Sequence, residues 1–312
     1  MDPGRPLPRL LAGQPALERH LPALERAAAS AAPLLLVGEA GTGRTALARA
    51  VHASSPRAAG PLVEVDPGAI PAPLFESELF GYRAGAFTGA VRASPGRVER
   101  AAGGSLLLDH VEELPLAVQP KLLRLVAEGA YAPLGGGERR SDVRFLSIAA
   151  EDLPERVRRG AFREDLFYRL EVLAFRVPPL RERPGDLPGL IDRLLADLGE
   201  RFGRPGATLA PGAREWMLRH PWPGNLRQLK NTLERALVMA GAGRPGALGA
   251  AAALDPEPPA GAERPPRPLA EAEADEIRRA LAYTRGHQGE AARLLGISRK
   301  ALWAKRKRYG IP

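Results

Sequence analysis

The stretch Gly38-Glu39-Ala40-Gly41-Thr42-Gly43-Arg44-Thr45 follows four apolar residues, Leu34 to Val37, and precedes a helical pattern, Ala46 to Ala53. It meets the pattern G-x-x-x-x-G-K-[ST] at each fixed position except one, where Arg44 replaces lysine. Glycines at Gly38, Gly41 and Gly43 let main-chain N–H groups turn inward around phosphates, and the following helix N-terminus adds partial positive charge. Thr42 lies within this loop, and Thr45 supplies a hydroxyl suited to magnesium. Arg44 keeps the positive charge, but its guanidinium is broader than an ammonium and fixed in a fork. Nucleotide binding therefore survives the exchange better than placement of the terminal phosphate does.

Downstream, Ser105-Leu106-Leu107-Leu108-Asp109 reads as a buried strand ending in a carboxylate that can order magnesium and its waters. His110 follows, and a neutral imidazole accepts a proton near pH 7. Glu112 and Glu113 come next. Between the two motifs lies Gly85-Ala86-Phe87-Thr88-Gly89-Ala90, an aromatic and a hydroxyl held between glycines with no charge and no helical period. Such a segment suits the tip of a hinged contact loop.

The elements that must position these groups follow from periodicity. Apolar runs at Leu34–Val37, Leu62–Val65, Leu106–Leu108, Val143–Ile148 and Val172–Phe175 alternate with helical patterns, which predicts an α/β fold with a parallel sheet wrapped by helices. From Leu187 the strand signals stop. Helical stretches at Gly212–Arg219 and Asn225–Ala240 predict a small helical lid. Gly241 to Pro268 holds seven prolines and almost no large apolar residue, a linker composition. The last segment, Leu269 to Ala282, then Gln288 to Leu295, a turn at Gly296-Ile297-Ser298 and a basic helix from Arg299, reads as an all-α helix-turn-helix domain. Ala291, Ala292, Leu294, Leu295, Ile297 and Leu302 form its expected packing face. Ser298, Arg299, Lys300, Trp303 and Lys305 are placed for the groove, with Arg306, Lys307 and Arg308 toward phosphates. The expected boundaries are 1–178, 179–240, 241–268 and 269–312.

Composition narrows the classes further. The chain has 312 residues and a formal net charge of +9, and six of the ten residues from Arg299 to Arg308 are Lys or Arg, which points to a polyanionic partner at that end. No apolar run approaches the roughly 18 residues of a membrane span, so no membrane role is expected. With no cysteine, disulfides and thiolate metal sites are excluded, and a cytoplasmic setting is expected. His20, His52, His220 and His287 lack metal-ligand spacing, and no nucleophile-elbow motif is present.

In their order, the phosphate loop, the Gly85–Ala90 hexapeptide, the acidic strand end and the basic C-terminal helix resemble the sigma-54-dependent transcription activators, a branch of the AAA+ ATPases. The resemblance runs from about Leu11 to Tyr309. It implies that ATP and magnesium are the cofactors, that Gly85 to Ala90 touches sigma-54 RNA polymerase, and that double-stranded promoter DNA is bound by the C-terminal domain. It also implies a homo-oligomeric ring, a hexamer, in the bacterial cytoplasm; because only about thirty residues stand before the first strand, no regulatory domain is expected ahead of the ATPase unit. Phe162 to Leu170 is similar to the family segment whose two arginine fingers act on a neighbouring subunit, which assigns Arg163 and Arg169. Trp222-Pro223-Gly224-Asn225-Leu226-Arg227 is similar to the lid motif whose arginine senses nucleotide, which assigns Arg227, while Asn225 reads as a helix cap.

Several positions depart from that family. His110 stands where the family has a glutamate that polarises water, Asp66 where it has asparagine, and Ala149 and Ala150 where it has a threonine and a sensing asparagine. With Arg44, these predict a chain that binds ATP and hydrolyses it slowly or not at all. Three functions stay open: an activator with an altered site that promotes open complexes, a hydrolysis-deficient nucleotide-responsive DNA-binding regulator or mixed-ring subunit, and an AAA+ remodeller of another target.

Overall fold

The structure is a computed structural model that describes residues 6–239, 247–248, 273–274, 276–278, 280–281, 284 and 287–311. These fall into two compact units, one within Met1–Asp255 and one within Pro256–Pro312.

The first unit is built on five parallel strands, β1 (Leu34–Val37), β2 (Leu62–Val65), β3 (Ser105–Asp109), β4 (Arg144–Ala149) and β5 (Leu173–Arg176), in the order β2-β3-β4-β1-β5. The central strands β1, β3 and β4 are buried, which is why apolar residues dominate them, while the edge strands β2 and β5 expose Glu64, Ala174 and Arg176. Alternation still sorts them: Leu35, Leu106, Leu108 and Phe145 enter one core, and Leu34, Leu36, Leu107 and Leu146 the other. The parallel sheet and its helices match the expected fold class. Val143 and Val172 fall one residue outside their strands, while β3 extends one residue beyond the expected run at each end.

The residues ahead of Leu34 form three helices, Leu7–Leu11, Pro15–Glu18 and Leu21–Ala29, which periodicity alone does not reveal. Arg144, 1% exposed in β4, ties the last of them to the sheet by donating to the Ala27 and Ala28 carbonyls at 2.5 and 2.7 Å. Burial lowers its pKa to about 10, and it stays protonated at neutral pH.

The lid packs helices Leu187–Arg201, Pro211–Arg219 and Asn225–Met239 around a core that includes Ile191, Met217, Trp222 and Leu233. One expectation is corrected here. Strand pairing does not stop at Leu187, because Thr208–Leu209 pairs in parallel with Ala247–Leu248. A two-residue ladder is made by the main chain and needs no apolar run, so periodicity does not reveal it. The remainder of the expected linker, 241–246 and 249–268, lies outside the described residues, as does Ala240.

In the second unit, helices Gln288–Leu294 and Arg299–Arg308 meet across Gly296, whose φ is 66°. Ala291, Ala292 and Leu302 are buried together with Ala274, Ile277 and Ala280. Leu294, expected in this face, is instead 60% exposed. Around a helix, Leu295 falls between Ala291 and Ala292, whereas Leu294 lies about 110° from their midpoint. The parts of Leu269–Ala282 other than 273–274, 276–278 and 280–281 lie outside the described residues. No helix among the described residues is long and apolar enough to cross a membrane.

The hexapeptide stands on a hairpin in which Gly81–Tyr82 pairs with Ser94–Pro95. At Gly96, a β-carbon would lie 2.3 Å from both the Gly81 nitrogen and the Phe80 carbonyl carbon. Main chain cannot yield as a flexible side chain can. Gly96→Ala is therefore expected to destabilise the first unit by about 1–3 kcal/mol, measured by denaturant unfolding; an unchanged midpoint would show that the hairpin base can open at no cost.

Candidate functional site

β1 delivers the chain into Gly38–Gly43, and the helix Arg44–Ala53 begins at Gly43 with φ 100° and no side-chain cap. Its first N–H groups are thus left for an anion. The loop conformation is enforced from the lid. Gly41 has φ 78°, and a β-carbon there would lie 2.6 Å from the Gly224 carbonyl oxygen. Leu226 N–H donates to the Gly41 carbonyl at 2.9 Å. Arg227 is exposed one residue further on, with its Cβ 3.1 Å from where that β-carbon would stand.

The neighbouring strand ends bring the acidic group in. Thr45 Oγ1 donates to Asp109 Oδ2 at 2.9 Å, so a hydroxyl and a carboxylate, both hard oxygen donors, converge beside the uncapped helix end. Thr42 Oγ1 turns the other way, donating to the Glu39 carbonyl at 2.8 Å. Arg44, 6% exposed, donates through Nη1 to the Ala149 carbonyl. Burial pushes its pKa down, and the attraction of Glu112 and then Asp109 opposes the shift.

His110 adopts the left-handed conformation at φ 61°. Its Nδ1 lies 3.5 Å from Asp66 Oδ1 and 3.6 Å from Asp109 Oδ1. Asp66 itself accepts from Gly68 N–H at 3.0 Å, capping the turn after β2. Ala149 is fully buried and brings no polar side chain to the site. The phosphate loop, Asp109, His110 and Arg227 are thus gathered in one place.

Sequence reasoning missed the groups that fix the loop from behind. Glu39 forms a two-point ion pair with Arg181 at 2.5 and 2.8 Å. Asn225, 0% exposed, donates to Glu39 Oε2 at 3.1 Å and to the Ala40 carbonyl at 3.0 Å, and accepts from Leu180 N–H at 2.7 Å. The residue expected to cap a helix therefore bridges loop and lid. Arg183, 1% exposed, donates to the Thr42 carbonyl at 2.8 Å. Its partner at 3.8 Å is Asp186, which accepts from Ala16 N–H at 2.7 Å. Burial lowers the pKa of Arg183 and raises that of Asp186. Beside these groups, Leu10, Gln14, Gly43, Leu47, Leu190 and Leu226 line a cleft that reaches the phosphate loop.

The remaining assignments lie apart from this centre. Arg163 pairs with Asp165 at 2.7 Å, and its N–H donates to Gln119 Oε1 at 2.8 Å. Arg169 donates to the Ala127 carbonyl at 3.0 Å, and both arginines are exposed around the helix Glu164–Leu170. In the hexapeptide, Gly85 and Gly89 have φ of 82° and 101°, a region that other residues enter at a cost. Gly85 N–H donates to the Ala90 carbonyl at 2.8 Å, closing the loop. Phe87 is 44% exposed and meets Tyr82 edge-on at 5.0 Å, Thr88 is exposed, Ala90 is buried, and Ala86 touches the neighbouring turn at Gly135.

In the second unit, Ser298 caps the basic helix by accepting from Ala301 N–H at 3.1 Å. Arg299, Lys300 and Trp303 are exposed, and Lys307 lies 5.6 Å from the Trp303 ring centre. Lys305 and Arg306 depart from the expected outward placement: both are half-buried, and Lys305 pairs with Glu273. They follow Leu302 by three and four residues and so share its inward face.

The sequence profile described as "Sigma-54 interaction domain" matches residues 10–176, "AAA+ ATPase lid domain" matches 181–252, and "Bacterial regulatory protein, Fis family" matches 268–309. The alginate biosynthesis transcriptional regulatory protein AlgB of Pseudomonas aeruginosa is 41% identical over 310 residues, covering 95% of this chain and 68% of its own length. The Nif-specific regulatory protein of Azotobacter vinelandii is 41% identical over 290 residues, and the C4-dicarboxylate transport transcriptional regulatory protein DctD of Rhizobium meliloti 40% identical over 303 residues. The match covers 91% and 97% of this chain, but only 55% and 64% of those relatives. Crystal structures of NtrX from Brucella abortus, in complex with ADP and with ATP, each align with a TM-score of 0.73 and 32% identity over 95% of this chain and 68% of theirs.

Glu39 supplies a pH test of the loop's support. The Arg181 hydrogen bond, aided by Asn225, lowers its pKa from 4.5 to about 2. A carboxylate whose folded pKa is depressed stabilises above its unfolded value and loses that contribution as pH falls through the folded one. Glu39→Gln is expected to lower the melting temperature at pH 7, with the gap to wild type shrinking between about pH 4.5 and 2; a pH-independent gap would contradict the ionic origin. The matched profiles and relatives establish that the chain belongs to the sigma-54-dependent transcriptional activator family, with a Fis-type helix-turn-helix DNA-binding domain.

Proposed function

We infer that this chain is a DNA-bound regulator that binds ATP and magnesium at Gly38–Thr45, contacts sigma-54 RNA polymerase through Gly85–Ala90, and promotes open-complex formation with slow hydrolysis. The observation that carries the reading is the Thr45–Asp109 hydrogen bond beside an uncapped helix N-terminus. Thr45 and Asp109 would hold magnesium, which when bound supplies charge neutralisation between phosphate oxygens. The loop N–H groups and Arg227 bind and orient the phosphates, and the apolar cleft by Leu10 and Leu226 receives the base.

The slow step follows from the other end of the site. Arg44 already has a donor committed to the Ala149 carbonyl. Ala149 and Ala150 offer no side-chain hydrogen bond to a phosphate or water. His110 lies between two carboxylates, so its Nδ1 is turned toward Asp66 and Asp109. This last observation favours the second reading, a subunit that hydrolyses little but lends Arg163 and Arg169 to a neighbouring copy in a hexameric ring. Arginine suits that role because it stays charged and donates in a fork. A regulator of bacterial RNA polymerase works in the cytoplasm.

Arg44→Lys and His110→Glu together are expected to raise ATP turnover by about tenfold or more, since a positioned base contributes roughly 100- to 10,000-fold. An unchanged rate would count against an impaired site. On a sigma-54 promoter, ATP is expected to support open complexes that a non-hydrolysable analogue does not; equal yields would assign the activity to binding alone. For the DNA contact, Lys307→Ala is expected to weaken binding on all sequences and to reduce the log–log salt slope by about 1. Loss confined to one sequence would move Lys307 from the phosphates to a base edge.

A further inference from the structure

The chain has three tryptophans. Trp222 is 1% exposed and Trp216 is half-buried in the lid core, whereas Trp303 is 60% exposed at the middle of the basic helix Arg299–Arg308. An isolated exposed apolar side chain is ordinary. The row in which this one stands is not.

Steps of four residues set Arg299, Trp303 and Lys307 in one stripe along the helix, and all three are exposed. Lys300 and Ala304 run beside them and are exposed as well. The other side of the helix is occupied: Leu302 is buried, Lys305 pairs with Glu273, and Tyr309 Oη donates to Glu273 Oε2 at 2.5 Å. The stripe is therefore the face that the helix turns outward. Along it, the Lys307 ammonium lies 5.6 Å from the centre of the Trp303 ring. A cation within about 6 Å of a ring face is attracted to it, so lysine and indole form one unit a single turn long.

The cations of this face can neutralise phosphates on any sequence. Trp303 cannot, because an indole carries no charge. What the major groove offers an apolar side chain is the methyl group that marks thymine. A ring standing between Arg299 and Lys307 is carried toward the base edges by the same contacts that seat its neighbours on the backbone.

We propose that Trp303 is a specificity-determining residue of the DNA contact, packing its ring on the methyl group of a thymine in the major groove. The bound site then carries a thymine at a fixed place facing the middle of the basic helix. This role rests on DNA binding by the Fis-type domain, to which it adds a base-reading element on a face otherwise dominated by cations.

The test uses the full chain. Wild type selects duplexes from a random-sequence DNA pool, and each thymine of the selected consensus is then replaced in turn by deoxyuridine, which removes only the methyl group. Fluorescence anisotropy at several salt concentrations compares wild type, Trp303→Ala and Trp303→Phe. Wild type is expected to lose about fourfold in affinity at one thymine position, the effect of a single buried methyl group. Trp303→Ala is expected to bind the thymine and deoxyuridine duplexes alike with an unchanged log–log salt slope, and Trp303→Phe to keep part of the preference. Equal binding of wild type to every such pair, or a preference that survives Trp303→Ala, would overturn the assignment. A smaller salt slope in Trp303→Ala would overturn it in favour of a ring that merely supports Lys307 on a phosphate. Unchanged DNA binding by Trp303→Ala with an altered sedimentation coefficient would overturn it in favour of a contact between copies of the chain. Where Trp303→Ala binds no duplex, Trp303→Phe decides: a reduced thymine preference supports the role and an unchanged one contradicts it. Failure of wild type to select any duplex would overturn the DNA reading as well.

Discussion

The side-chain amide of Asn225 satisfies three partners at once: it donates to the Glu39 carboxylate and the Ala40 carbonyl, and it accepts from Leu180 N–H. Two of these belong to the phosphate loop and one to the segment entering the lid. Because the amide is fully buried, water cannot replace its bond to Leu180 N–H, and orphaning that buried group would cost about 1–3 kcal/mol. The loop's glycines give it freedom, and this contact from the lid removes it. Gly224 packed on Gly41, Leu226 bonded to the Gly41 carbonyl, and Arg183 bonded to the Thr42 carbonyl act in the same sense. A loop held open in advance can offer its N–H groups to phosphate without a further ordering cost.

The two ends of the site follow different physical rules. At the helix end, the binding groups are main-chain N–H, a hydroxyl and a carboxylate, and their placement depends on the strand and helix positions more than on side-chain identity. At the outer end, chemistry depends on individual side chains, and there Arg44, His110, Ala149 and Ala150 replace the family's groups. Arg44 is buried and bonded to main chain, so its reach is fixed by β4. On the proposed function, the site's capacity to bind nucleotide and its capacity to hydrolyse it are separable. The hexapeptide and the basic helix, which depend on exposed groups, are untouched by that separation.

Much of this is legible in residue pattern. The central strands of the sheet show as apolar runs because they are buried, the edge strands show more weakly, and the phosphate loop shows because glycine spacing is dictated by backbone geometry. The supports of that loop do not show. Glu39 and Arg181 are 142 residues apart, and neither lies in a spacing that marks a pair. Asn225 resembles a cap because caps and bridges use the same amide. Periodicity draws Leu294 inward because a short helix offers too few residues to set its phase, and the Thr208–Ala247 pairing escapes because main-chain ladders leave no trace in side chains. Glu112 is visible in sequence only as an acid near Asp109; that it is buried, with Oε2 shielded from solvent and unpartnered, depends on the turn that His110 starts.

Amide hydrogen exchange with and without a magnesium–ATP analogue tests the account's central claim, that lid and phosphate loop form one nucleotide-binding unit. Slowed exchange is predicted to arise together in residues 38–46, 180–186 and 224–229 when the analogue binds. Protection confined to the loop while the two lid segments exchange as before, or no protection at all, would contradict it.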